Sequence, residues 1–101
     1  MADAVWIEFA AGTMDQQLYE STNAQVNPPG SPPDGLIFHS SGPSPDGGWR
    51  IIDVWDQRAT FDRFLAEQVL PTITELVGAE AMQQGQPPTV TSWSLVNYEL
   101  H

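Results

Sequence analysis

The segment Trp49-Arg50-Ile51-Ile52-Asp53-Val54-Trp55 is strand-forming and carries apolar side chains on both parities. Successive strand residues point to opposite faces of a sheet, so neither face of this strand suits water. The chain must therefore build a sheet that is covered twice. With 101 residues there is room for one domain, spanning 1–101, and a domain of that size has a thin core. Its own helices can cover one face of a sheet. The second cover has to come from elsewhere.

Periodicity and punctuation supply the other elements. Val5, Ile7 and Phe9 alternate with Trp6 and Glu8, the pattern of a first strand that ends before Gly12. Thr13 and Gln16 have capping-box spacing, and Met14 to Ala24 favours helix, with Met14 and Leu18 on one side. The proline-rich run from Asn27 to Gly35 excludes helix and strand and reads as a stiff loop. Leu36 to Ser40 is a second strand. Turn formers between Gly42 and Gly48 join it to Trp49–Trp55 as a hairpin.

Asp56 is placed to cap the next helix, where Phe61, Phe64, Leu65, Gln68 and Val69 form one amphipathic stripe. Pro71 is expected to break or kink that helix at Leu70, with a short second piece before Gly78. Gln83 to Pro88 reads as loop. Thr89 to Leu100 is β-rich, and a change of apolar phase predicts a bulge near Leu95. The order strand, helix, strand, strand, helix, strand is the α+β, ferredoxin-like βαββαβ plan. It predicts a four-stranded antiparallel sheet with both helices on one side.

Parity then assigns faces. Val5, Ile7 and Phe9, with Ile52 and Val54, are the expected helix-facing set. Trp6, Glu8, Ile51, Asp53 and Trp55 are expected on the opposite face. A patch of that kind is larger than monomers usually expose. Two such sheets packed across a two-fold axis would cover each other, which predicts a homodimer.

Composition excludes several chemistries. The only cations are Arg50, Arg58 and Arg63, and the absence of lysine removes Schiff bases and lysine-held pyridoxal phosphate. The absence of cysteine removes thiol nucleophiles, disulfides and thiolate metal sites. A net charge of −10 opposes binding to nucleic acid or anionic lipid. No apolar run reaches membrane-spanning length, and the N-terminus lacks the basic-then-apolar order of a secretion signal. A cytoplasmic protein is expected, with no nucleic-acid or membrane partner. One internal histidine among scattered carboxylates lacks metal-ligand spacing, so no metal site is predicted. The glycines mark turns rather than a phosphate cradle.

What remains centres on His39. On the simplest hairpin register, Ile37 and His39 share a face with Ile51 and Asp53. Strands one and three are neighbours in this topology, so Glu8 is expected beside Asp53. The candidate site is then His39, Asp53 and Glu8, in an aromatic setting from Trp6, Trp55, Trp93 and Tyr98. Histidine titrates nearest neutrality among side chains, which suits it to take a proton from a phenol or an activated carbon acid. The same residues also read as structure. His39 with Asp53 makes an ordinary hydrogen-bonded strand pair, the tryptophans make core and interface, and Arg50 makes a rim salt bridge.

The stretch Gly35-Leu36-Ile37-Phe38-His39, then Gly47-Gly48-Trp49 through Asp56, then Phe61, Phe64 and Leu70-Pro71 resembles the dimeric α+β-barrel superfamily. Within it the likeness is to small proteins grouped with antibiotic-biosynthesis-monooxygenase-like domains. The resemblance implies two ferredoxin-like subunits joined into a barrel, each with a pocket between its sheet and helices. Members with known activities include cofactor-free monooxygenases, lactone isomerases, polyketide cyclases and haem-degrading enzymes. The last group places an axial histidine on a helix, and neither helix here has one.

Two readings follow. In the first, the chain is a cofactor-independent enzyme of monooxygenase, isomerase or cyclase type, acting on a hydrophobic aromatic or polyketide-like molecule by proton abstraction. His39 is the base, Asp53 orients it, and Glu8 is a second acid. Trp6, Ile37, Ile51, Trp55, Trp93 and Tyr98 bind substrate, and no cofactor is required. In the second, the chain is a non-catalytic homodimer that binds a small molecule or another protein.

Overall fold

A computed structural model describes residues 1–101. Four strands, β1 (Asp3–Phe9), β2 (Leu36–Pro43), β3 (Trp49–Trp55) and β4 (Thr89–Ser94), form one antiparallel sheet in the order β2-β3-β1-β4. The helices are α1 (Gln16–Val26), α2 (Arg58–Phe64), α3 (Leu70–Val77) and α4 (Ala79–Gln84). This is the expected ferredoxin-like plan. Met14, Phe61 and Ile73 from the helical side close on Val5, Ile7, Phe9, Trp49 and Trp55 of the sheet to make the buried core. No helix is long and apolar enough to cross a membrane.

Helix ends depart from expectation for local reasons. Asp15 caps α1, its carboxylate accepting the Leu18 N–H at 2.8 Å. The Thr13 hydroxyl instead donates to the Ala10 carbonyl at 2.7 Å and closes the preceding turn. Between α2 and α3 the helix does not break at Leu70. A π-helical turn, Leu65–Val69, connects them, with the Leu70 N–H reaching back to the Leu65 carbonyl. Pro71 lacks an N–H and its ring crowds the carbonyl four residues earlier, so the widened turn takes up the strain.

The bulge sits elsewhere than near Leu95. Strand β4 pairs with β1 without interruption and ends at Ser94, and the Leu95 N–H closes onto the Ala2 carbonyl at 2.9 Å. The phase change in the sequence marks the end of the strand. The irregularity is in β2, between Leu36 and Phe38.

Strand parity is corrected by the register. Residues opposed in an antiparallel pair share a face. Val5 opposes Asp53, Ile7 opposes Ile51, and Phe9 opposes Trp49. Ile51, Asp53 and Trp55 therefore face the helices, whereas Ile52 and Val54 lie on the outer face with Trp6 and Glu8. The expected assignment of β3 is reversed. The alternative would leave two indoles in water, since Trp55 is fully buried and Trp49 nearly so. Burying Trp49 and Trp55 removes more apolar surface than burying Ile52 and Val54. Trp55 packs against Phe61 and Phe64, with ring centroids 5.8 and 5.2 Å away.

The β2–β3 turn is fixed by close packing and local hydrogen bonds. A Cβ on Gly48 would fall 2.2 Å from the Phe9 carbonyl oxygen. Asp46 accepts from the Ser44 hydroxyl at 2.7 Å and the Gly48 N–H at 3.1 Å. Those bonds, the hydroxyl first, hold the Asp46 carboxyl below its usual range.

The outer face remains apolar. Trp93, Phe38 and Ile52 are 46%, 42% and 38% exposed, alongside half-buried Trp6 and Val54. The ladder brings them side by side, with Phe38 opposite Val54 and Trp6 opposite Ile52.

Candidate active site

His39 lies directly opposite Asp53 in the β2–β3 ladder. The bulge makes this pairing compatible with the core. Leu36 opposes Trp55 and His39 opposes Asp53, although the two β2 residues differ in parity; Ile37 is the inserted residue. An inserted residue re-aims the side chains on either side of it. Leu36 and His39 thus both reach the space between sheet and helices, and Ile37 is not among the residues that line it.

Four side chains form a continuous hydrogen-bonded chain. His39 Nδ1 is 2.7 Å from Asp53 Oδ1, and Trp55 Nε1 donates to Asp53 Oδ2 at 3.1 Å. The Tyr19 hydroxyl meets His39 Nε2. Donor counting sets the polarity. The Asp53 carboxylate accepts on both oxygens, so Nδ1 carries a proton and Nε2 presents a lone pair to the Tyr19 O–H. Asp53 is buried, with 6% of its side chain exposed, while the His39 side chain is 23% exposed. Two donors make burial of that carboxylate tolerable. Tyr19 is held from its other side by Trp49, centroids 5.3 Å apart, and its ring is nearly parallel to the His39 imidazole.

Burial pushes the Tyr19 phenol above its ordinary value of 10.0. The Asp53 charge adds to the rise and the Ser41 hydroxyl opposes it. Tyr19 thus remains a donor at neutral pH.

Behind this chain is a cavity of about 50 Å³. The sheet contributes Ile7, Ile51 and Trp55, and the helical side contributes Phe61, Leu65, Val69 and Ile73. Helix α1 contributes Tyr19, Thr22, Asn23 and Val26, spaced to lie on one helical face. Thr22 is 5% exposed and its hydroxyl has no hydrogen-bond partner.

The other expected site residues lie apart from this group. Glu8 is on the outer face, accepting from Arg50 Nε at 2.7 Å and from Trp6 Nε1 at 3.0 Å. The Arg50 guanidinium also sits 5.1 Å from the centre of the Trp6 ring. Trp93 is on the outer face opposite Ala4, and Tyr98 lies exposed beyond β4. Glu8 therefore does not join His39 and Asp53, because β3 presents Asp53 to the helices and β1 presents Glu8 away from them. Of the expected aromatic residues only Trp55 reaches the cavity. Tyr19 and Thr22 were not anticipated. The spacing Tyr19, Thr22, Asn23, Val26 was the available signal, a helical stripe of mixed polarity beside the apolar Met14 and Leu18.

Chemically, the group is a histidine base with its proton inventory set from behind. A hydroxyl or acidic C–H placed where the Tyr19 oxygen sits would face the Nε2 lone pair. Asp53 would then stabilise the imidazolium formed by proton transfer.

No protein-family model matches the chain, and no curated protein matches it. Solved structures do resemble it. Rv0793 from Mycobacterium tuberculosis superposes with a TM-score of 0.60 at 17% identity, covering 97% of this chain and 98% of that one. SnoaB, a cofactor-independent oxygenase from Streptomyces nogalater, gives 0.61 at 16% identity, with 96% and 95% covered. An antibiotic biosynthesis monooxygenase gives 0.60 at 17% identity, with 96% and 100% covered. This chain shares the ferredoxin-like α+β fold of these solved structures.

Proposed function

We propose that this protein is a cofactor-independent enzyme that abstracts a proton from a hydrophobic aromatic or polyketide-like molecule bound between sheet and helices. The observation that carries this reading is the His39–Asp53 pair at the cavity wall, with Nδ1 bonded to a buried carboxylate and Nε2 meeting the Tyr19 hydroxyl. His39 acts as base, and Asp53 fixes its tautomer and offsets its charge. Trp55, Ile51 and the helix phenylalanines keep the site dry. The resulting carbanion or phenolate then enters oxygenation, isomerisation or cyclisation. Similarity in fold to a cofactor-independent oxygenase supports the first of these.

The working unit is a homodimer, cytoplasmic, joined through the outer face of the sheet. Trp6, Phe38, Ile52, Val54 and Trp93 make that face apolar, and a second copy of the same face covers it.

A panel of hydroxylated polycyclic aromatics in metal-free buffer tests the reading, with oxygen uptake and product spectra as readouts. Wild type should turn over at least one member, and His39→Gln should slow it about 10²- to 10⁴-fold. Equal rates in both proteins would refute a His39 base. The second reading, a non-catalytic homodimer that only binds a small molecule, is favoured by the small cavity, about 50 Å³. Binding without turnover, and without His39 dependence, is its signature.

A further inference from the structure

Tyr19 stands at a boundary between two spaces. On one side is the inner cavity of about 50 Å³, reached by His39, Asp53 and Thr22. On the other is an open cleft of about 470 Å³, bordered by the loop residues Pro28, Pro29, Gly30 and Pro32. Tyr19, Asn23 and Asn27 line both. They fall four residues apart, so one stripe of α1 and its C-cap forms the wall.

The inner cavity is too small for an aromatic ring. A cavity of about 150 Å³ is what accommodates benzene elsewhere. Yet the space beside His39 is shaped for a ring, because it already holds one. The Tyr19 hydroxyl is on the Nε2 lone pair and its ring lies against Trp49. In the same cavity wall, the buried Thr22 hydroxyl has no partner within the protein. An orphaned buried hydroxyl is costly and points to an oxygen that a ligand would bring.

We infer that the phenol of Tyr19 occupies the position of the substrate's acidic ring, and that the substrate enters from the Pro28–Pro32 cleft by displacing it. Tyr19 is then an internal occupant of the site and its gate. Its departure frees Nε2 and joins the cleft to the cavity that Thr22 also lines. Tyr19 is half-buried, lines the cleft and has few rotatable bonds, so the displacement needs no rearrangement of the sheet. The inference rests on the proposed role of His39, but binding can be tested without turnover.

The probe is phenol itself, added to uniformly ¹⁵N-labelled full-length protein, with the His39 ring nitrogens followed by NMR. Tyr19→Ala should bind one phenol per chain at least about tenfold more tightly than wild type, because the occupant has been removed. Its His39 Nε2 signal should move on binding. Anisole, which has the ring but no acidic hydroxyl, should bind more weakly to that variant. Tyr19→Ser serves the same purpose if Tyr19→Ala does not fold. In wild type at saturating phenol, the Tyr19 ring signals should shift as the residue leaves His39.

Phenol binding no tighter to the variants than to wild type would overturn the inference, as would phenol bound to wild type with Tyr19 unmoved. For the route, Asn23→Cys introduces a single thiol, since the chain has no cysteine. A bulky thiol reagent there should block phenol uptake; unchanged uptake contradicts the route. Phenol held at His39 without any turnover of aromatic substrates would remove the enzymatic reading and leave this site standing. His39-dependent turnover with phenol ignoring the Tyr19 variants would do the reverse.

Discussion

His39 and Asp53 are fourteen residues apart in sequence yet directly opposite in the β2–β3 ladder, and Nδ1 comes within 2.7 Å of Oδ1. Hairpin register positions the candidate base. The carboxylate that orients it also holds the Trp55 indole, so one buried group ties the site to the core.

Asp53 should therefore be a stability residue as well as a positioning one. Asp53→Ala orphans the buried Trp55 N–H and the partly buried His39 N–H and should cost about 2 kcal/mol or more in urea unfolding. Asp53→Asn keeps the shape but offers an amide N–H₂ to one of two donors, and should fall between the two proteins. An Asp53→Ala variant as stable as wild type would mean that the chain Tyr19–His39–Asp53–Trp55 does not form.

Face assignment has a direct test in association. Ile52→Glu places a charge in the proposed seam and should give a folded monomer by sedimentation velocity. Ile51→Glu points a charge at the helices and should destabilise the fold by about 2 kcal/mol or more. A dimer that survives Ile52→Glu at low micromolar concentration contradicts the seam.

Ionisation of Tyr19 gives a pH signature with a definite sign. Its folded-state pKa lies above the ordinary 10.0, chiefly through burial. The folded protein therefore binds that proton more tightly than the unfolded chain. The contribution is fully present below about pH 10 and is lost as pH rises through the folded value. Wild-type melting temperature should fall more steeply than that of Tyr19→Phe above about pH 10. Absorbance at the tyrosinate band should lack its latest step in the variant. Parallel pH profiles would contradict a buried, hydrogen-bonded phenol.

The hairpin turn makes a separate, structural prediction. Gly48→Ala puts a Cβ 2.2 Å from the Phe9 carbonyl, an approach to backbone that no rotamer relieves. A loss of about 2 kcal/mol or more is expected by chemical denaturation. A neutral effect would mean that β1 and β3 sit farther apart at that end.

The sequence made the hairpin legible because its turn formers bracket it tightly, and the simplest register put His39 on the same face as Asp53. A slip of one residue would have turned His39 away, so the direct pairing of the two is a finding of the structure. The parity of β3 did not follow, since Ile51, Asp53 and Trp55 compete with Ile52 and Val54. The outcome depended on two tryptophans needing the helix side and on an aspartate finding two donors there. Glu8 was separated from the site by the same reversal. The β2 bulge that lets both Leu36 and His39 face inward left no mark in the residue pattern. Tyr19 was hidden for another reason. Its stripe on α1 includes Thr22 and Asn23, so it did not read as an apolar face, yet those polar residues line the cavity.

The claim that His39 takes a proton from a phenolic ligand is tested most directly with 4-nitrophenol, whose anion absorbs in the visible. Spectra would be taken at saturating protein, at a pH where the free phenol is neutral. Bound 4-nitrophenol should carry the anion's absorbance in wild type and lose it in His39→Gln. A bound ligand that stays neutral in wild type, or ionises equally in both proteins, contradicts His39 as the base.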